Sequence, residues 1–333
     1  MKIILNLYKV KSLFQSIIIV ALFLLFPLFS IGQSLFSEVE TLIKQEDYQK
    51  AEVLMIDYIA KNPNDAKGIE LLGDSYGYQA KWDQAINEFK KLTTIDDNNA
   101  NYHYKYAGAL GMKTKQVSKL KAIGYIGDLK YSFTKAAELD PKHINARWAL
   151  VELYMELPGI VGGSSKKALK YAEELQVLSE VDGYLAKGFI YERDDQPELA
   201  EQHYVKAVEV GGSLVCYEKL SNFYQNSNQP EKAIESIEEA HDKYRRNTLH
   251  YQIAKVSLNY NFELDKGVRC LKRYIKYYTV KDAVAVEWAY LRLAQIYKLK
   301  NNKKEALKWV DKAISIRSDF PEAIEVKESL NSI

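Results

Sequence analysis

The chain has 333 residues, and its 46 lysines and arginines nearly balance its 44 aspartates and glutamates. A net charge of +2 argues against a broad nucleic-acid-binding surface, which usually needs a clustered basic excess. Seven prolines and 16 glycines are few helix breakers for this length, so the composition predicts a mostly helical protein. The 25 tyrosines supply large amphipathic side chains, which suit both helix packing and partner surfaces.

The first 32 residues have the pattern of a secretory signal peptide. Lysines precede an apolar run from Ser16 to Ser30, and Gly32 adds a small residue at the spacing that a signal peptidase reads. The run is short for a membrane span of about 20 residues, and Pro27 interrupts it, but a retained anchor stays an alternative. We therefore expect a signal peptide over 1–32 and export to the periplasm or cell envelope of a Gram-negative bacterium. Contact with a membrane surface is also possible there.

A repeat motif occurs between residues 72 and 89. Leu72-Gly73-x-x-Tyr76 is followed nine residues later by Ala85-x-x-x-Phe89. This sequence matches the L-G-x2-Y…A-x3-F core of the tetratricopeptide repeat, which has a period of about 34 residues. Over most of 34–321 the chain resembles the tetratricopeptide-repeat family.

Later copies support this resemblance. The small residues Ala200, Ala233, Gly267 and Ala306 follow one another at spacings of 33, 34 and 39 residues. The resemblance implies an all-α, right-handed α-solenoid of about eight helix-turn-helix units, which stack because no single helix pair can bury its apolar face alone. The predicted units are 34–65, 66–99, 100–141, 142–180, 181–213, 214–247, 248–286 and 287–320, with a C-terminal capping helix in 321–333.

The third unit departs from the pattern. Its large residue Phe133 follows Gly108 by 25 residues, where the repeat predicts about 16. We therefore expect an insertion of about nine residues that lengthens both helices. This segment is basic, and a second basic cluster occurs near residue 270; each could contact anionic lipid or an acidic partner, although solvated helix faces are the simpler interpretation. The lysines of the insertion are Lys113, Lys115, Lys119 and Lys121, and the second cluster contains Arg269, Lys272, Arg273 and Lys276.

The fourth unit contains the glycine-rich stretch ELPGIVGGSSKKA, from Glu156 to Ala168. It lacks the G-x4-G-K-[ST] register of a phosphate-binding P-loop, and a helical pattern precedes it in place of a strand. We expect a long turn in which Pro158 follows the end of one helix and Ser164 or Ser165 caps the next. Its glycines permit positive φ, and its N–H groups could hold an anion or a carboxylate. The candidate binding turn consists of Gly159, Gly162, Gly163, Ser164 and Lys166.

The stretch around this turn, from Phe133 to Ala172, also resembles a group of uncharacterised exported bacterial tetratricopeptide-repeat proteins. That resemblance implies no biochemical activity. Elsewhere, Cys216 and Cys270 are the only cysteines. A disulfide between them and two buried free thiols both fit the sequence of an exported protein.

The five histidines form no H-E-x-x-H motif and no i, i+4 pair, so no zinc signature is present. Neither a nucleophile elbow nor another catalytic motif is recognisable. We therefore expect a protein that is not an enzyme and uses no cofactor or metal.

The family resemblance implies that the first helix of each pair lines a concave groove. The residues predicted to line this groove include several amides and one tryptophan. Such side chains suit the binding of extended peptide or glycan chains. The lysine and asparagine set that clamps a terminal carboxylate in some relatives is not reproduced, so no such ligand is expected. The candidate groove residues are Glu70, Asp74, Lys105, Asn145, Trp148, Glu152, Asn222, Gln225, Gln252, Asn259, Gln295 and Lys298.

Together these patterns predict a non-catalytic protein–protein interaction scaffold of the cell envelope. Its partner would be a protein or peptide, not a nucleic acid. The alternative is a small-solute or glycan-binding component that assists periplasmic transport, with a closed pocket near Trp148. An enzyme of unknown type and self-association through tyrosine-rich faces are further alternatives, and the sequence leaves the oligomeric state open.

Overall fold

The structure, a computed structural model, describes residues 35–332. These residues form helices joined by turns, and no strand occurs among them. The all-α repeat architecture expected from the sequence is therefore confirmed. The predicted signal peptide, 1–32, lies outside the described residues. Within 35–332, no helix combines the length and the apolar composition that a membrane span requires.

The chain divides into two compact units, and the division falls between Gly163 and Ser164. It lies inside the fourth predicted repeat, so the two helices of that repeat belong to different units. The helices of the first unit are 35–44 (α1), Tyr48–Lys61 (α2), Ala66–Tyr78 (α3), Trp82–Ile95 (α4), Ala100–Thr114 (α5), Lys119–Ile123 (α6), Ile126–Leu139 (α7) and Ile144–Glu156 (α8).

In the second unit, consecutive helices pack as antiparallel neighbours joined by short turns. These helices are Ser165–Leu178 (α9), Glu180–Arg193 (α10), Pro197–Gly211 (α11), Leu214–Asn226 (α12), Pro230–Tyr244 (α13), Thr248–Asn259 (α14), Leu264–Lys276 (α15), Val286–Leu299 (α16), Lys303–Ile316 (α17) and Pro321–Asn331 (α18).

Most helix pairs close with one turn geometry. A residue with positive φ ends the first helix, and the N–H of the next residue donates to the carbonyl five residues before it. This 6→1 bond satisfies a carbonyl that the helix end would otherwise leave unpaired. The donor and acceptor pairs are Asp47–Leu42, Lys81–Tyr76, Gln196–Tyr191, Gln229–Tyr224, Phe262–Ser257 and Asn302–Tyr297.

The third predicted repeat does not use this turn, and in the fourth the same bond, from the Gly163 N–H to the Pro158 carbonyl, closes a separate 3-10 turn that follows α8. The insertion in the third forms the separate short helix α6, and α5 and α7 keep ordinary lengths of 15 and 14 residues. The expectation that the insertion lengthens both helices was therefore wrong. Because the inserted residues form a separate helix outside the α5–α7 pair, α5 still packs directly against α7.

Small residues allow the two helices of a repeat to approach closely. A Cβ atom added at Gly73 would lie 2.4 Å from the ring of Phe89, and one added at Gly188 would lie 2.7 Å from the ring of Tyr204. The partner rings are themselves buried. The pattern of small and large residues therefore corresponds to direct contacts between α3 and α4, and between α10 and α11.

The last apolar face is covered by α18. Phe320 and Leu330 are buried in one cluster with Trp309 of α17 and Leu291 of α16. The ring of Phe320 packs edge-on against Trp288, with 4.6 Å between centroids. Without α18 these side chains would face water, as expected for the end of a repeat array.

We predict that Gly73→Ala destabilises the protein by about 1–3 kcal/mol, because the added methyl group overpacks the contact with Phe89. Gly108→Ala, in the middle of α5, is the matched control. Nothing lies within 4 Å of its added Cβ, so higher helix propensity should stabilise the protein by up to about 1 kcal/mol. Urea unfolding of both variants measures the two effects. Equal effects of the same sign would contradict the contact.

Candidate functional site

A groove lies between α12 and α14, which are the first helices of two successive repeats. The second helix α13 forms its floor through Ile237. Two adjoining cavities of about 150 and 130 Å³ occupy the groove, and Glu218, Ile237 and Gln252 line both. We call this feature the α12–α14 groove.

The two cavities differ in chemistry. The larger is lined mainly by apolar and aromatic side chains, together with four charged or polar ones. The smaller is lined mainly by amide, hydroxyl and charged groups. The further residues of the apolar cavity are Leu214, Tyr217, Ala240, Arg246, Thr248 and Leu249. Those of the polar cavity are Ser221, Asn222, Gln225, Lys255 and Val256.

The amide and lysine side chains of the groove form few hydrogen bonds within the protein. Gln225 Nε2 donates long hydrogen bonds of 3.4 Å to the Ser221 carbonyl and to Asn222 Oδ1. Gln252 and Lys255 are exposed and form no hydrogen bond or ion pair with any described residue. These groups can therefore bind a ligand without first breaking strong internal bonds.

Three of the predicted groove residues, Asn222, Gln225 and Gln252, meet in this groove. Asn259 is exposed at the C-terminal end of α14. Two predicted residues of the eighth repeat are instead engaged: Arg292 donates to Gln295 Oε1 at 2.8 Å, and Lys298 donates to Ser329 of α18 at 2.7 Å.

In the first unit, the predicted residues Glu70, Asp74 and Lys105 form one ion-pair cluster. Lys105 Nζ lies 2.6 Å from Asp74 Oδ2 and 2.7 Å from Glu70 Oε1, and Asn101 also donates to Glu70. Burial raises the pKa of Asp74 despite the lysine. The two carboxylates outweigh burial for the lysine and raise the pKa of Lys105. Burial thus sets the direction for Asp74, whereas the two carboxylates set it for Lys105. The ion pairs join α3 to α5.

The remaining candidates of the first unit lie on α8. Asn145 and Glu152 are exposed, whereas Trp148 is half-buried. Trp148 has an interaction partner within the protein. The exposed aromatic side chain that the sequence suggested is therefore already partly engaged.

The glycine-rich turn is closed by its own backbone. Residues 159–161 form one 3-10 turn, and Gly162 and Gly163 donate their N–H groups to the carbonyls of Gly159 and Pro158. These N–H groups are thus not free for an anion. Lys130 Nζ also donates to the Val161 carbonyl at 2.7 Å. No local sequence motif predicts this contact.

The three glycines have different roles, and not all of them adopt the positive φ that glycine permits. Only Gly162 does, with φ 92°. Gly163 is required by space, because an added Cβ would lie 1.7 Å from the Leu157 carbonyl oxygen, whereas nothing approaches Gly159. Beyond the turn, Ser164 caps α9 by accepting from the Lys167 N–H, as expected, and Lys166 is exposed.

Both cysteines are free thiols, so the structure contains no disulfide between them. Cys216 is buried in α12, and its sulfur lies 3.2 Å from Ser213 Oγ. Burial raises the pKa of Cys270 to about 11, which keeps this thiol protonated and unreactive at neutral pH. Over 35–332 no group of three or more His, Cys, Asp or Glu side chains is arranged to hold a metal ion.

A histidine pair lies beside the apolar cavity. The rings of His241 on α13 and His250 on α14 are 4.3 Å apart, and His250 Nδ1 is buried without a partner. Burial first, and then the nearby His241 and Arg273, lower the pKa of His250 to about 4. Arg245 and Asp242 also face His241, where burial again lowers the pKa. The pair is therefore packed as neutral imidazole.

We predict that acid weakens the fold through His250. In the unfolded chain His250 binds a proton below its ordinary pKa of 6.5. In the folded chain its pKa is about 4, so the ring stays neutral until the pH falls that far. Stability therefore falls as pH falls through this window, by about 2 kcal/mol between about pH 7 and 5. His250→Gln removes the titrating group, so urea unfolding should show a loss about 2 kcal/mol smaller than in the wild type. An unchanged pH dependence would contradict the assignment.

Comparison with known proteins agrees with the helix-pair architecture. A family model described as tetratricopeptide repeat matches residues 289–320, which cover most of α16 and all of α17. No curated protein sequence matches the chain.

Two solved structures share the fold. A tetratricopeptide repeat protein from Parabacteroides merdae ATCC 43184 is similar with a TM-score of 0.50 at 13% identity, over 90% of this chain and 98% of that one. Yeast Tom70 is similar with a TM-score of 0.58 at 16% identity, over 86% of this chain and 59% of that one. Identities this low relate the chains by fold alone. Residues 289–320 thus contain a tetratricopeptide repeat, and the chain shares the helix-pair fold of both structures.

Proposed function

We propose that the chain is a non-catalytic scaffold that binds an extended segment of a partner protein in the α12–α14 groove. The observation that carries this proposal is the pairing of a small apolar cavity with a row of polar side chains that the protein leaves weakly bonded. Tetratricopeptide-repeat architecture supports protein–protein interaction as the general role.

The groove suits a peptide in size and chemistry. A cavity of about 150 Å³ is smaller than the roughly 300–1,000 Å³ of pockets that enclose small ligands. It can accept one apolar side chain between Leu214 and Leu249. The amides of Asn222 and Gln252 can then donate to and accept from the peptide backbone, as an extended chain requires.

The charged residues of the groove favour one orientation of the bound partner segment. Glu218 lies on α12, whereas Lys255 lies on α14 and Arg246 in the turn just before it, so the two walls of the groove carry opposite charges. A segment with an acidic side chain facing α14 would pair with these cations. We therefore expect the partner motif to combine an apolar residue with a nearby Asp or Glu.

The same arrangement favours binding over catalysis. Within the groove the polar groups are mainly amides and hydroxyls, and no nucleophile is held against a base in the geometry that covalent catalysis needs. We place this activity in the cell envelope, on the strength of the signal-peptide pattern at 1–32.

The test is capture from envelope extract with chemical crosslinking. The groove variant carries Asn222→Ala and Gln252→Ala. A matched control carries Asn98→Ala and Gln202→Ala, two exposed amides outside the groove. Loss of two hydrogen bonds of about 1 kcal/mol each should weaken binding of the captured partner about 30-fold in the groove variant.

The control should bind like the wild type. If the groove variant retains wild-type affinity for the captured protein, the groove assignment is wrong. Capture of no protein by the wild type would instead favour the solute- or glycan-binding alternative.

A further inference from the structure

The insertion in the third repeat presents apolar side chains to water. We call residues 112–124 the tip; they contain the end of α5, the short helix α6 and the turns around it. Leu120 is 82% exposed and Ile123 is 50% exposed, and α6 buries no residue at all. Aliphatic side chains this exposed are unfavourable in water unless another surface covers them.

Charge surrounds these apolar side chains. Residues 111–127 contain four lysines and no Asp or Glu. Lys113 is paired with Asp83 at 2.7 Å. Lys115, Lys119 and Lys121 are exposed, and their side chains form no ion pair with any residue of 35–332. The tip is therefore an exposed surface whose only charges are basic and which surrounds two aliphatic side chains.

The tip is not needed to close its hairpin. Most other first-to-second helix turns take three residues, as in 79–81 between α3 and α4. Here α5 packs directly against α7, and Tyr106 donates to Asp128 across the pair at 3.1 Å. The extra residues add exposed apolar and basic groups without adding core, which points to a role outside folding.

We propose that the tip docks on an anionic lipid surface. Leu120 and Ile123 enter the boundary between headgroups and acyl chains, and the three free lysines contact the headgroups. This is the arrangement by which basic amphipathic segments bind membranes peripherally. The site is independent of the α12–α14 groove.

Lipid fits this surface better than an acidic protein does. A stable protein interface buries about 800 Å² on each partner, commonly with a flat or concave apolar centre. The tip is short, with only five residues in α6, and its exposed aliphatic side chains lie among lysines. A lipid boundary accepts single aliphatic side chains, because it deforms around each of them.

Hydrogen exchange read by mass spectrometry tests this proposal on the full chain, since it reports on the tip locally whatever residues 1–32 do. Vesicles of phosphatidylcholine with about one third phosphatidylserine should slow exchange across 115–125, and pure phosphatidylcholine vesicles should not. Lys115→Gln, Lys119→Gln and Lys121→Gln together should raise the lipid concentration needed for half-protection about 100-fold, because each lysine contributes about fivefold.

Two further variants make the result specific. Lys61→Gln, Lys303→Gln and Lys304→Gln remove the same charge at exposed positions outside the tip and should leave the protection unchanged. Leu120→Asn with Ile123→Asn should also abolish it, and thermal melting checks that each variant is folded. Unchanged exchange at 115–125 with anionic vesicles overturns the proposal. Protection by polyglutamate equal to that by vesicles would also overturn it and assign the tip to an acidic protein.

Discussion

The contact of a small residue on one helix with an aromatic ring on the next is the constraint on which the repeats depend. Gly73 against Phe89 and Gly188 against Tyr204 leave no room for a methyl group. Helices brought this close exclude water from the seam and bury the rings almost completely. Each pair then presents a second apolar face, which only a further helix can cover. Within each unit the architecture therefore builds on a few such contacts, and in the second unit α18 covers the last apolar face.

The groove follows from the same packing. The positive-φ turn brings each second helix back against the first, so first helices of successive repeats flank a shared second helix. In the second unit α12 and α14 flank α13, and Ile237 becomes a floor while Asn222 and Gln252 become walls. Side chains of the walls have few neighbours to bond within the protein. The stacking of the helices therefore creates the groove, and the side chains that line it determine which ligand can bind.

Sequence reasoning worked where the period decides the structure. The small and large positions predicted the helix pairs, and Asn222, Gln225 and Gln252 were placed by register alone. It failed where contacts come from outside the period. The bond of Lys298 to Ser329 depends on the docking of α18, and that of Lys130 to Val161 spans 31 residues. Neither contact has a local sequence signature. The repeat period also does not decide whether inserted residues extend α5 or form a separate helix after it.

The central claim is that a partner segment occupies the α12–α14 groove. Photocrosslinking tests it most directly, with a benzophenone amino acid placed at position 222 in one chain and at position 202 of α11 in another. Both positions are exposed, but only the first lines the groove. The account predicts one defined adduct from position 222, mapping to an extended segment with an apolar and an acidic residue, and none from position 202. Equal adducts from both positions, or none from 222, would contradict it.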